Sequence, residues 1–182
     1  MKISLLSTLI AILLISWQTK PTQSYAPLTD IDRKNYVLSV DQQEISKPME
    51  FDKGVASSRY GSAFTLKLTN NSNDTLKYIE MWCAWSDILK IDNVKVHLNG
   101  NYCSSDHAEM RFVAPHQTTT FLLRITLKKE AVSSNVPFKA GMYIYKYINK
   151  QQLKNFKPSD PALKSNTANL IWSDTMIMPK AN

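Results

Sequence analysis

The feature that most constrains this chain is a strict alternation of apolar and polar residues, recurring in short runs. Phe64, Leu66 and Leu68 alternate with Thr65, Lys67 and Thr69, the period-two mark of a strand with one buried face. Asn70-Asn71-Ser72-Asn73-Asp74 follows, a run of residues that bond their own backbone and favour turns. The next run places Ile79, Met81, Cys83 and Trp85 on one face, so a hairpin is expected here. Downstream, Val94, Val96 and Leu98 share a face ahead of the turn signal Asn99-Gly100. Met110 to Ala114 is a short strand stopped by Pro115. Phe121, Leu123, Ile125 and Leu127 point inward while Leu122, Arg124 and Thr126 point out. Met142 to Ile148 carries Tyr143, Tyr145 and Tyr147 on one face, best read as core packing, and Leu170 to Met178 is the last strand. Tyr36 to Val40 is the first, with Ile45 to Phe51 as an edge. Seven or eight short strands at this spacing predict an all-β antiparallel sandwich.

One stretch breaks the pattern. Asn149 to Asn169 is polar, with a helical turn or two expected over 150–156 before Pro158 and Pro161. A connection of this length is often either mobile or functional, and its composition reads as a mobile surface loop.

The N-terminus reads as an export signal. Lys2 precedes an apolar run from Ile3 to Trp17, and the polar stretch after it ends in Ser24-Tyr25-Ala26, small at −3 and −1. Pro27 then falls at +1, which cleavage disfavours, so the cut is expected there or a residue or two away. The apolar run is shorter than the ~20 residues that span a bilayer, so a cleaved signal over 1–26 and a secreted or periplasmic destination are expected. The remainder divides into an N-terminal segment over 27–59, holding the first strand or strands, and the body of the same domain over 60–182.

The chain has 22 Lys+Arg and 15 Asp+Glu. Lys2 and Lys20 leave with the signal, so the mature charge is 20 − 15 = +5. The lysines are spread without a dense run, which reads as solubility charge, and no nucleic-acid partner is implied. Cys83 and Cys103 are the two cysteines. In an oxidising compartment an even pair predicts a disulfide, worth roughly 3 kcal/mol for a loop of that length.

The runs Phe64 to Leu76, Trp82-Cys83-Ala84-Trp85-Ser86, Val113-Ala114-Pro115-His116-Gln117 and Gly141-Met142-Tyr143 together resemble uncharacterised secreted immunoglobulin-like proteins of Bacteroidota. The resemblance covers about residues 60–178. It implies a β-sandwich and an exported compartment, and no activity. Antibody-type domains have widely separated cysteines with a Trp between them; here Trp82 and Trp85 flank Cys83, so any bridge is a staple of a different kind.

Candidate chemistry is sparse. Cys103, His107 and Met110 offer the thiolate, imidazole and thioether of a blue-copper site. That loop normally lies near the C-terminus, the second His comes from well upstream, and a Cys83–Cys103 bridge would consume the thiolate. The better reading is a polar loop with a bridged cysteine, and no cofactor is expected. No Gly-x-Ser-x-Gly elbow supports hydrolysis, so no enzyme is expected. Tyr78 and Trp82 share a face and form a candidate platform for a glycan or protein partner. The expectation is an exported, non-catalytic binding module, with copper binding or protease inhibition as the alternative.

Overall fold

The computed structural model describes residues 25–42, 61–81, 85–99, 107–131, 133–147, 149–157 and 160–180. Thr29 caps a short helix, α1 (Asp30–Asn35), through a reciprocal capping box with Asp32. The chain continues directly into β1 (Tyr36–Gln42), antiparallel to β2 (Gly61–Asn70). In β2 every second residue is buried from Ser62 to Asn70, as its alternation requires.

Turn chemistry decides where the chain goes next. Asn70 is fully buried, and its amide nitrogen donates to the carbonyls of Asp74 (2.7 Å), Val113 (2.9 Å) and Ala114 (3.3 Å). Its side-chain oxygen accepts from the Ser72 amide and hydroxyl. Tied inward in this way, the Asn-rich turn carries the chain out of the first sheet. The expected hairpin is therefore not formed: β3 (Leu76–Met81) lies in a second sheet, between β6 (Ala108–Val113) and β10 (Tyr145–Lys146). The same bonds make the Asn70 side chain a structural group.

β3 ends at Met81, and Trp85 opens a 3-10 turn (Trp85–Ile88) instead of continuing the strand as expected. Strand β4 (Leu89–Ile91) follows. Asn93 then accepts from the Lys95 amide at 2.9 Å, a local bond that favours a turn over a ladder. Val94 is consequently exposed and strand β5 (Val96–Asn99) starts late. From β6 a tight turn, with His116 at φ 57° and Gln117 N–H bonded to Ala114 O, leads to β7 (Thr118–Leu127). The first sheet runs β1-β2-β7-β5. Leu123, Ile125 and Leu127 are buried as expected, but so is Thr126.

The two long C-terminal runs each break in mid-course. Strand β8 (Val136–Phe138) precedes β9 (Ala140–Tyr143), and β9 sits between β4 and β11 (Leu170–Trp172) in a third sheet. Ile144 N–H makes one more bond in the same register, to the Asn169 carbonyl at 2.8 Å, before the chain passes into β10. Ser173 turns its hydroxyl to the Asp174 carbonyl (2.8 Å) and accepts from Ala140 N–H (3.1 Å). It separates β11 from β12 (Met176–Met178), which pairs with β8.

The expected loop over 149–169 is instead packed structure. It holds helices α2 (Lys150–Asn155) and α3 (Pro161–Ser165) and a 3-10 turn (Thr167–Asn169). Phe156 and Leu163 enter the core, and the hydroxyls of Tyr143 and Tyr145 donate to the carbonyls of Lys164 (2.8 Å) and Leu163 (3.2 Å). Tyr143 and Tyr145 are buried, as expected for core packing. All four sheets contribute to one apolar core, where Phe64 meets Phe138 edge-on at 5.6 Å. The fold is all-β with antiparallel pairing throughout. Among the described residues, no helix is long and apolar enough to cross a membrane. The proposed edge over 45–51 and the apolar N-terminal run lie outside the described residues.

Candidate functional site

The site that stands out is a groove between two strand edges. β6 pairs with β3 on one side and, among the described residues, with nothing on the other. β7 pairs with β2 along most of its length, but β5 covers only Arg124 to Leu127 of its opposite edge. Among the described residues, nothing pairs with Thr118 to Leu123 on that side, which makes a second edge close to the first. Between them lies a groove of about 500 Å3, with Glu80 and Arg111 within it and Phe112, Leu122 and Arg124 at its rim.

The polar interior follows from register. Tyr78 stands opposite Arg111, and Glu80 opposite Glu109, so all four side chains share one face of the second sheet. Two carboxylates directly opposite repel. Arg111 offsets this by lying against both: Nη2 is 2.5 Å from Glu109 Oε1 and Nε is 3.8 Å from Glu80 Oε2. The Tyr78 hydroxyl donates to Glu80 Oε2 at 3.0 Å. Burial raises the Glu80 carboxyl above its ordinary range. The Tyr78 hydrogen bond and the Arg111 charge pull it down, and Glu109 pushes it up again. Burial likewise pushes the Tyr78 phenol up, reinforced by the Glu80 charge.

The outward residues of β6 behave differently. Phe112 is 69% exposed and Met110 41%, and Leu122 across the groove is 43% exposed. Arg124 is exposed, and no carboxylate among the described residues pairs with it. Among the described residues, the groove thus combines unpaired strand edges, an apolar rim and a cation, Arg124, with no carboxylate partner.

Of the expected site residues, Tyr78 must be corrected. It is 1% exposed, because β3 is covered on both faces, so its ring is not part of an exposed platform. Trp82, Cys83 and Cys103 lie outside the described residues, and with them the expected disulfide. His107 lies just before β6 and is exposed, and Met110 is on the outward face of that strand. Among the described residues, no group of three or more His, Cys, Asp or Glu is placed to hold a metal ion.

The groove residues were not legible in the alternation: Glu80 falls on the face opposite Ile79 and Met81, and Glu109 and Arg111 share one face of β6, the pattern of a polar outward side.

No protein-family profile matches the chain, and no curated protein matches it either. Among solved structures, it is similar to the FixG-related protein from Vibrio parahaemolyticus. That likeness has a TM-score of 0.41 and 11% identity over 81% of this chain and 98% of the other.

Proposed function

We propose that this chain is an exported, non-catalytic module of immunoglobulin-like sandwich architecture. Its groove receives an extended, acidic segment of a protein partner in the periplasm or outside the cell. The observation that carries the reading is the pair of edges on β6 and β7 that no strand covers among the described residues. An added strand gains affinity from backbone hydrogen bonds and specificity from alternate side chains. Beside β6, its outward residues would meet Met110 and Phe112, and its inward residues would meet Glu109, Arg111 and Arg124. Arg111 is already engaged by two carboxylates, whereas Arg124 is not, so the segment that complements the groove is acidic. A glycan's hydroxyls can reach single N–H or C=O groups but do not match the regular spacing of donors and acceptors along a strand edge, as a peptide backbone does.

The non-catalytic reading is supported by the engagement of the groove's ionisable groups with one another. Glu80 is held by Tyr78 and Arg111, and Glu109 by Arg111. Export is supported by the apolar run after Lys2. The sandwich reading is supported by antiparallel sheets that share one core and by the turns that carry the chain between them.

Screening purified residues 25–182 against displayed random peptides tests the binding reading. Acidic sequences with apolar residues at alternate positions should be enriched, and Arg124→Glu and Phe112→Ala should each lose that binding. No enrichment, or binding that Arg124→Glu leaves intact, would count against the proposal. Capture on an oligosaccharide array instead would favour the glycan.

A further inference from the structure

Tyr25 sits within the segment that the expected cut after Ala26 would discard, yet it is a core residue. It is 3% exposed. Its ring meets Tyr145 at 5.3 Å and Phe156 at 5.7 Å, both in edge-on contact. Its hydroxyl donates to the Gln152 carbonyl at 3.4 Å, and burial, aided by the charge of Asp160, pushes the phenol up to about 12. Three residues on, Leu28 is buried, and its N–H donates to Asn169 Oδ1 (3.1 Å) and the Ala168 carbonyl (3.3 Å). A product beginning at Pro27 would lack the ring that completes the cluster with Tyr145 and Phe156.

The sequence offers a cut that avoids this. At the Ser24–Tyr25 bond, Ser24 takes −1 and Thr22 takes −3, both small and uncharged as the peptidase requires. Pro27 moves from +1 to +3, which removes the feature that disfavoured the downstream bond. The peptidase acts on an unfolded chain, so burial does not steer it. What burial does is make only a cut at or before this bond compatible with an intact core.

Resting on the export reading above, we infer that the mature protein begins at Tyr25. Water adds to the Ser24 carbonyl carbon, the amide bond breaks, and the nitrogen leaves as the free α-amino group of Tyr25. The signal ends in a Ser24 carboxylate.

The full chain with a C-terminal affinity tag, expressed in an export-competent bacterium, provides the test. Intact mass and N-terminal sequencing of the exported product should give Tyr25 as first residue. A product beginning at Pro27, or at any other residue, overturns this inference and leaves the export reading standing. A chain that keeps Met1 and stays in the cytoplasm overturns both. Two substitutions separate the candidate bonds. Thr22→Lys, which alters −3 of this bond but neither −1 nor −3 of the downstream one, should abolish the mature band, while Ala26→Lys, at an exposed position, should leave it. The reverse pattern overturns the assignment.

Discussion

At the scale of single residues, three buried polar or aromatic groups carry distinct and measurable roles. Tyr25 joins a ring cluster with Tyr145 and Phe156. Large-to-small changes at such sites cost about 3–5 kcal/mol, so Tyr25→Ala should lose on the order of 3 kcal/mol in urea unfolding, as should a chain begun at Pro27. Equal midpoints for chains begun at Tyr25 and Pro27 would remove Tyr25 from the core. Asp32 and Glu80 respond to pH in opposite directions. Burial alone would raise Asp32, but hydrogen bonds from Lys146 and Thr29 outweigh it and hold its carboxyl below the ordinary aspartate range. A depressed folded value favours folding above the unfolded value of about 3.9 and loses that contribution as pH falls through the folded one. Asp32→Asn should therefore cost about 1–2 kcal/mol near neutral pH, on the scale of a lost cap, and nothing in strong acid. Glu80 has the opposite sign. Its folded value lies above the unfolded one, so its contribution to folding is greatest in acid and declines as pH rises from about 4.3 through the raised value. Glu80→Gln keeps an acceptor for Tyr78 and leaves Arg111 with Glu109. It should change stability at neutral pH by less than about 1 kcal/mol and abolish that decline, as urea midpoints across a pH series would reveal.

At the scale of elements, what was legible in the sequence was the alternation, and what was not was where alternation stops. β2 and β7 lie close to where their period-two patterns placed them, because one face of each meets the core. β3 hid its site because both faces are buried, so Ile79 and Met81 gave no hint that Tyr78 and Glu80 were interior as well. The runs over 142–148 and 170–178 looked continuous in composition, yet each is divided between two sheets, the first after the last β11-side bond at Ile144 and the second at Ser173, whose hydroxyl takes the Ala140 N–H. The excursion over 149–169 read as a loop because its polar residues outnumber the few, Phe156 and Leu163 among them, that anchor it. Gly141 illustrates a signal with a local cause. In the register of β9 and β11 it faces Trp172, and a Cβ there would lie 2.7 Å from the indole ring and 3.0 Å from a Leu170 methyl. Gly141→Ala should cost about 1–3 kcal/mol through overpacking. Trp172→Ala in the same chain should relieve most of that cost, because the two residues share one space. Additive losses in the double variant would show that the ring is not the obstacle.

At the scale of the whole molecule, the N-terminal segment and the helical excursion behave as one unit laid over the sheets. Leu28 N–H is bonded to Asn169 and Ala168. The Arg33 guanidinium donates to the carbonyls of Ala168 and Leu170, and Lys146 pairs with Asp32 across the same junction. Asn169 is central: fully buried, it accepts the Leu28 N–H through its side chain and the Ile144 N–H through its carbonyl. None of these contacts involves the β6–β7 groove, which lies along edges of the first two sheets that are uncovered among the described residues. Cooperative units of this kind open together, below the free energy of global unfolding. Loosening one end should therefore release the other while leaving β2 and β7 protected. In native-state hydrogen exchange, Tyr25→Ala should speed exchange at Leu28 and Ile144 together, about tenfold or more if the unit loses more than about 1.4 kcal/mol. The paired amides of β2 and β7 should change little. Faster exchange spread evenly over β2, β7 and the excursion would mean that the molecule opens as a single body, and binding in the groove would then be coupled to the state of the N-terminus.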